Sequence, residues 1–182
     1  MAQNIEIKAH LHDVARAHRL ARDLSERPAE RFRQRDVFFY TRCGRLKLRW
    51  QGDGPAYLVY YERADQSGPR PSVYFVAETQ DAASLEQALS AALGVRGEVR
   101  KQRTLYTVGS TRIHLDEVQG LGHFVELEAV LGPQQTPADA QAMVSALMDH
   151  LGISDSDLIE VAYIDLLERE LHMKGDSGPS GD

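Results

Sequence analysis

The sequence predicts an α+β protein in which around eight antiparallel strands form a barrel or a strongly curved sheet, with helices between and after the strands. Many segments alternate apolar and polar residues with a period of two, which is the pattern of half-buried strands. Short glycine-containing turns separate these segments, so successive strands run antiparallel. Other stretches carry alanine and leucine at helical spacing, and a length of 182 residues fits one domain.

The first half of the chain predicts a strand, a helix and a run of hairpins. The opening strand is Asn4–Ala9, and a helix begins at His12 and Asp13 and ends before Pro28. The hairpin strands that follow are rich in aromatic or β-branched residues, or alternate strictly: Arg31–Thr41, Arg45–Trp50, Ala56–Ala64 and Ser72–Glu78.

The second half of the chain predicts three further strands and three helices. A helix covers Asp81–Leu93 and ends at Gly94, and a second begins at the N-cap Thr136 and runs to about Leu151. The strands between them are Glu98–Thr107, Thr111–Val118 and Phe124–Leu131. A last helix is predicted at Tyr163–Met173, so the folded domain covers 1–173 and a disordered, glycine-rich tail covers 174–182.

Composition excludes several classes of protein. The net charge of −6 argues against a nucleic-acid binder, which needs a basic surface. No apolar stretch approaches the ~20 residues that cross a bilayer, and the first residues lack a signal-peptide pattern, so we expect a cytoplasmic protein without a membrane partner. Cys43 is the only cysteine, which excludes an internal disulfide.

The polar faces of the strands are sorted by charge. One face of the third strand carries Arg45, Lys47 and Arg49, whereas a late strand carries Glu126 and Glu128. If these faces point into a closed sheet, the lumen holds cations beside carboxylates, and phosphates with a divalent metal would satisfy both. The alternative is a set of cross-strand ion pairs on an exposed sheet, each worth only about 0.2–1 kcal/mol.

We interpret His114 and the strand aromatics as structural residues rather than as catalytic or ligand-binding ones. His114 is interpreted as a hydrogen-bonding wall residue rather than a general base. Strand aromatics are usually part of the core, so we expect that role for the following residues: Tyr57, Tyr60, Tyr61, Tyr74 and Phe75.

An ordered set of motifs resembles the CYTH family, the superfamily of class IV adenylate cyclases and thiamine triphosphatases that is also called the triphosphate tunnel metalloenzymes. The resemblance covers about Asn4 to Leu167, and its later motifs look most like the cyclase branch. The motifs that carry it are Asn4–Lys8, Gln34–Phe39, Arg45–Arg49, Tyr60–Arg63, Lys101–Arg103, Ile113–Val118 and Gly120–Glu128.

The resemblance implies an eight-stranded antiparallel closed β-barrel, the triphosphate tunnel, with helices packed outside and Mg²⁺ or Mn²⁺ as cofactor. The implied metal ligands are Glu6, Asp116, Glu126 and Glu128. The implied phosphate-binding residues are Lys8, Lys47, Arg49, Arg63, Lys101 and Arg103. The implied catalytic residues are Lys8, Lys101, Arg103 and Asp116.

The leading functional hypothesis is an adenylate cyclase that converts ATP to 3′,5′-cyclic AMP and pyrophosphate. The alternatives are a triphosphatase acting on thiamine triphosphate or inorganic triphosphate, and a non-catalytic triphosphate-binding module. The partner is a nucleoside or inorganic triphosphate, and a homodimer stays open. One position departs from the family motif Glu-x-Glu-x-Lys, because Asn4 replaces its first glutamate; a second metal would be held less tightly or differently.

Overall fold

The computed structural model describes residues 2–66, 68–132 and 135–175. Its strands are β1 (Ala2–His10), β2 (Glu30–Phe39), β3 (Arg45–Gln51), β4 (Ala56–Arg63), β5 (Arg70–Thr79), β6 (Val95–Val108), β7 (Thr111–Val118) and β8 (Gly122–Val130). Its helices are α1 (Val14–Leu24), α2 (Ala82–Leu93), α3 (Pro137–Leu151) and α4 (Tyr163–Gly175), with a short 3₁₀ helix at Asp155–Asp157. Every predicted strand and helix is therefore present.

The eight strands close into a barrel in the order β1-β5-β4-β3-β2-β6-β7-β8. Each strand pairs antiparallel with both of its neighbours. In a closed sheet, alternate side chains point into the lumen and to the outside. The predicted fold class is thus confirmed, and the period-two pattern becomes an inner and an outer face.

The helix ends follow local capping chemistry. The side chain of Asp13 accepts a hydrogen bond from the backbone N–H of Arg16 and so starts α1. Thr136 and Asp139 form a reciprocal capping box at the start of α3. Helix α2 ends at Gly94, whose φ of 77° is costly for any residue with a Cβ.

The outer face of the barrel packs against the helices. On one side α1 and α3 cover Ile7 and Leu127, which are fully buried with their neighbours on β1, β7 and β8. On the other side Leu85 and Leu89 of α2 pack against Val37 and Leu48. Burial of such aliphatic side chains stabilises the fold by about 1.5–3 kcal/mol each. These two apolar clusters therefore lie outside the barrel wall, whereas a third, which includes Phe38, Val99 and Tyr163, closes one end of the lumen.

The segment between α3 and α4 closes one end of the barrel, at the C-terminal end of β1. The N–H of Ile159 donates to the carbonyl of Lys8 at 2.8 Å, and Arg70 donates to the carbonyl of Ile159 at 3.1 Å. Helix α4 then packs so tightly that a Cβ at Gly97 would lie 2.7 Å from Ile164 Cδ1. Asp165 accepts from Arg45 and Arg96, which fixes the start of α4 at this end.

Tyr61 packs against an apolar cluster as predicted, although it also borders the lumen. The core assignment of the other four strand aromatics is wrong. Tyr57, Tyr61 and Tyr74 line the lumen, and Tyr60 is half-buried with its hydroxyl donating to Glu62 at 2.5 Å. Phe75 is 53% exposed. The reason is the closure of the sheet, which turns Tyr57, Tyr61 and Tyr74 inward and leaves Phe75, the next residue along β5, on the outer face.

Two further findings concern the helices. None of the helices within the described ranges is long and apolar enough to span a bilayer. Helix α4 continues to Gly175, two residues beyond its predicted end, and the rest of the predicted tail, 176–182, lies outside the described residues.

Candidate functional site

The lumen is a cavity of about 550 Å³ lined by charged side chains from seven of the eight strands, all except β5. Nine of the ten residues that the sequence predicts for the site line it: Glu6, Lys8, Lys47, Arg49, Arg63, Lys101, Arg103, Glu126 and Glu128. The tenth, Asp116, lies directly behind the wall and contacts Lys101 and Arg103. The structure therefore brings the whole predicted set together, and the exposed-sheet alternative does not describe these faces.

Strand register sets which charges meet. Lys8 on β1 lies opposite Glu126 on β8, and Glu6 lies opposite Glu128. His114 on β7 lies opposite Glu126 from the other side. Side chains that are directly opposite on one face of a sheet lie about 4.5–5.5 Å apart at Cβ, so this wall combines acids and bases within direct contact.

Asp116 is the most enclosed acid in the site, with its side chain 0% exposed. It accepts from Lys101 Nζ at 2.8 Å and from two nitrogens of Arg103 at 2.6 Å each. The hydroxyl of Tyr163 also donates to it, at 3.0 Å. Burial alone would raise the pKa of Asp116, but Arg103 and Lys101 outweigh burial and hold that pKa well below its usual value.

Asp36 on β2 forms a second enclosed centre, two strands around the barrel from Asp116, which the sequence analysis did not assign to the site. Its carboxylate accepts from Lys47 at 2.8 Å and from Arg49 at 2.8 and 2.9 Å. Gln34 adds two longer contacts at 3.1 Å. Burial would raise the pKa of Asp36, yet Arg49 and Lys47 lower it strongly. The alternation of β2 placed Asp36 on the lumen face, and that pattern was the signal available in the sequence.

The three glutamates are more accessible than the aspartates. Glu126 pairs with Lys8 and Arg103, and Glu6 accepts from Arg63 at 2.7 Å. Glu128 accepts from Asn4 at 2.5 Å and from Arg112 at 3.3 Å. Their side chains keep between 17% and 22% of their surface exposed to the cavity. These carboxylates can therefore exchange their protein partners for a bound ligand without opening the barrel.

Lys47 and Lys8 have lowered pKa values because both amines are buried among other cations. Burial lowers the pKa of Lys47 to about 7, with Arg49 lowering it further and Asp36 opposing. Burial likewise lowers the pKa of Lys8 to about 8, against the attraction of Glu126. A phosphate oxygen beside these amines would restore their charge, since an anion favours the protonated form.

Arg63 has buried hydrogen-bond donors that lack acceptors among the described residues. Its side chain is only 4% exposed and donates one hydrogen bond, to Glu6. Its Nε and Nη2 atoms are buried and have no hydrogen-bond partner within the described ranges. A buried donor without an acceptor costs about 1–3 kcal/mol. An anion in the lumen would supply the missing acceptors.

The two ends of the cavity differ in chemistry. At the closed end Tyr163 and Ala162 meet the charged side chains. At the other end Val76 and Arg112 line the cavity while being about half exposed, so the cavity opens to solvent there. The wall of this open mouth is aromatic and apolar through Phe32, Tyr57, Tyr74, Val76 and Leu105.

Comparison with known proteins decides the family. The model of the CYTH domain matches residues 2–163. The chain belongs to the CYTH family. Its tunnel is therefore a CYTH tunnel, and enzymes of this family are generally metal-dependent.

Individual relatives are more distant. Adenylate cyclase CyaB of Aeromonas hydrophila is 28% identical over 82 residues, which are 45% of this chain and 43% of that protein, so the alignment spans less than half of the relative. The PH1012 protein of Pyrococcus horikoshii shares the fold with a TM-score of 0.80 at 22% identity, over 90% of this chain and 98% of that one. HpAC1 of Hippeastrum, described as having a dominant triphosphatase activity, shares the fold with a TM-score of 0.64 at 17% identity. That match covers 92% of this chain and 96% of HpAC1.

The residues of this CYTH tunnel fit a hard divalent cation once the glutamates are released from their basic partners. As the side chains lie, no three His, Cys, Asp or Glu among the described residues converge on a common point. The oxygens of Glu6, Glu126 and Glu128 nevertheless lie on paired strands, and oxygen ligands are what Mg²⁺ prefers. Asn4 supports the fit, because its buried Oδ1 has no hydrogen-bond partner in the described part of the chain.

Proposed function

We propose that this protein is a metal-dependent enzyme acting on a nucleoside triphosphate, and that it converts ATP to 3′,5′-cyclic AMP and pyrophosphate. The observation that carries the proposal is the order of groups along the tunnel. Lys8 and Lys101 lie toward the closed end, Glu6 and Glu128 lie nearer the open end, and aromatic residues surround the mouth. A nucleotide has the same order of chemistry, from terminal phosphate to base.

Strand β1 gives this order directly. Lys8 lies beside the segment that closes the tunnel, and Glu6 and Asn4 follow in steps of two residues toward the open mouth. A triphosphate that enters with its terminal phosphate first places its α-phosphorus nearest the mouth, beside Glu6 and Glu128. The base then meets Tyr57 and Phe32, whose rings offer a surface for stacking.

The chemistry needs no covalent enzyme intermediate. The ribose 3′-oxygen forms a bond to the α-phosphorus, the bond from that phosphorus to the bridging oxygen of pyrophosphate breaks, and the hydroxyl proton leaves to a neighbouring carboxylate such as Glu6. A divalent metal held by Glu6, Glu126 and Glu128 supplies Lewis acidity when it is bound. Lys8, Lys101 and Arg103 stabilise the charge that develops on the leaving pyrophosphate.

Hydrolysis of the terminal phosphate is the second candidate, and one observation favours it. Glu126 lies deep in the tunnel, opposite Lys8, and His114 Nδ1 is 3.7 Å from a Glu126 oxygen without a hydrogen bond. Burial lowers the pKa of His114, and the nearby charge of Arg103 lowers it further. The imidazole is therefore neutral and can accept a proton. A water at this point would attack the terminal phosphorus of a triphosphate.

Product analysis separates the candidates. The protein is incubated with Mn²⁺ or Mg²⁺ and ATP, thiamine triphosphate or inorganic triphosphate, and products are separated by chromatography. Cyclic AMP with pyrophosphate supports the cyclase, and orthophosphate supports the triphosphatase. Binding of ATP without turnover supports a binding module and contradicts both.

Matched variants tie the activity to the tunnel. Glu6→Gln should remove turnover, because it neutralises a lumen carboxylate beside the α-phosphorus. Glu117→Gln changes an exposed glutamate on the outer face of β7 and should leave turnover unchanged. Equal activities in the two variants would contradict the proposed site.

A further inference from the structure

Tyr163 is a buried aromatic residue at the closed end of the tunnel, and the sequence analysis gave it no role beyond the start of a helix. It is the first residue of α4, directly after the segment that hydrogen-bonds Lys8. Its ring packs on Phe124 at 4.9 Å between ring centroids. The ring therefore forms the floor of the cavity from an element outside the barrel.

Two lysines share this ring. The Nζ atom of Lys8 lies 3.7 Å from the ring centroid, and that of Lys101 lies 5.0 Å from it. Both distances are within the about 6 Å over which a ring face attracts a cation. Like charges that are this close in a buried site repel each other, and the negative face of the ring offsets that repulsion.

The tyrosine hydroxyl makes a separate contact. It donates to Asp116, the carboxylate that also holds Lys101 at 2.8 Å. Tyr163 thus contacts Lys8 through its ring, and contacts Lys101 both through the ring and through a shared acid.

We propose that Tyr163 is a positioning residue that holds the Lys8 and Lys101 ammonium groups together at the closed end, where they bind the terminal phosphate of the substrate. The inference rests on the proposed function, since it assumes a triphosphate in the tunnel. It extends that proposal by assigning a role to α4, which lies outside the barrel wall.

The ring matters most when the ligand is bound. Glu126 is the ionic partner of Lys8 in the structure. When Glu126 turns to a metal ion, Lys8 keeps only the ring and the phosphate as favourable contacts, while Arg63 and Lys101 remain as repelling cations. An aromatic face is suited to this exchange, because it attracts the ammonium group without competing for the metal.

The test is calorimetric titration of the full chain with inorganic tripolyphosphate in the presence of Mg²⁺. Tyr163→Leu removes the ring and should weaken binding by about tenfold. Tyr163→Phe keeps the ring and loses only the hydroxyl, so it should retain the affinity of the unmodified protein within about twofold. Activity assays should show the Leu variant raising KM more than it lowers kcat.

Tyr106→Leu is the matched control. Tyr106 is also buried and hydrogen-bonded, to His18 at 2.8 Å, but it packs on the outer face of the barrel. Equal losses of affinity in Tyr163→Leu and Tyr106→Leu would overturn the inference, because general destabilisation would then explain both. If Tyr163→Leu does not fold, Tyr163→Phe decides alone, and a tenfold loss in that variant overturns the role of the ring.

The failure of the proposed function gives a different result. If the unmodified protein binds no tripolyphosphate, the triphosphate site itself is wrong, and the inference falls with it. If the unmodified protein binds and only the ring variants behave otherwise than expected, the proposed function stands and the inference alone is overturned.

Discussion

The aspartates and the glutamates of the tunnel face the same cations but are held in different ways. Asp116 and Asp36 have side chains 0% and 4% exposed, and each accepts hydrogen bonds on both of its oxygens. The lumen glutamates keep about a fifth of their surface open to the cavity and have fewer donors. Asp116 lies behind the wall and Asp36 is covered by its basic partners, whereas the glutamate side chains, one methylene longer, keep part of their surface exposed in the cavity.

This difference separates two tasks. The aspartates fix the lysines and arginines in place, because each buried carboxylate already accepts at least four hydrogen bonds. The glutamates neutralise the same cations but are accessible enough to turn to a metal ion when phosphate takes their place. The comparison therefore predicts that aspartate variants lose stability and glutamate variants lose activity.

Removing an aspartate should have the largest effect. Asp116→Asn removes the carboxylate that pairs with buried Lys101 and leaves Arg103 with Glu126 alone, and breaking such buried pairs costs about 3–5 kcal/mol. Urea denaturation should show this loss in the free energy of unfolding. Glu128→Gln, the matched change at an accessible acid, should cost less than about 1 kcal/mol. Equal losses in the two variants would remove the distinction between the acids.

Glu126→Gln should have the opposite profile. Turnover should fall by at least about 100-fold, because the variant removes a charged group that acts on the reacting phosphates. The melting temperature should fall less than in Asp116→Asn, because the amide can still pack in the same space and Lys8 keeps the ring of Tyr163. Steady-state kinetics and thermal melting on the same sample check both points. A variant with full activity would exclude Glu126 from the site.

The sequence predicted the wall of the tunnel better than its floor and mouth. Alternation in β3 put Lys47 and Arg49 on one face, and alternation in β8 put Glu126 and Glu128 on one face, because a residue and its second neighbour in a strand share a side. Alternation cannot say which side is enclosed, and the family resemblance supplied that choice.

The residues that were missed depend on closure. Tyr163 reaches the lumen from a helix that folds back over the barrel end, a contact far from any local pattern. Tyr57 and Tyr74 were assigned to the core because aromatics in strands usually pack against apolar neighbours, and only the closed topology turns them toward a cavity. Asp36 shares its face of β2 with the apolar Phe38, so the alternation of this strand does not mark that face as charged.

The lowered lysine pKa values predict opposite pH trends for stability and binding. The pKa of Lys47 is about 7 and that of Lys8 about 8, below their ordinary value of 10.5. From about pH 7 to 10.5 the unfolded chain therefore binds more protons than the folded one, so these two groups make stability rise with pH. Phosphate binding should weaken over the same range, by about tenfold for each charge-assisted hydrogen bond lost.

Denaturation and tripolyphosphate titration at pH 6.5 and 9 check these two trends. Arg49 stays charged at both values, so binding should weaken without disappearing. Affinity that is constant between these pH values would show that neither lysine contacts the ligand.

Asn4→Glu should have the smallest effect, because it adds one carboxylate to a site that already holds several. The added charge should tighten Mn²⁺ binding by about tenfold or less, since metal affinity depends on the number of charged ligands. Asn4→Gln keeps the amide and should not tighten binding. Titration followed by electron paramagnetic resonance measures free Mn²⁺ in both variants, and unchanged curves would place Asn4 outside the metal site.

A crystal structure with Mn²⁺ and tripolyphosphate tests the central claim most directly, because anomalous scattering locates the metal. We predict Mn²⁺ on oxygens of Glu6, Glu126 and Glu128, and phosphates on the lumen lysines and arginines. The ion pair between Lys8 and Glu126 should be broken, whereas the contacts of Asp36 and Asp116 should be unchanged. Metal bound to either aspartate, or phosphate bound outside the barrel, would contradict the account.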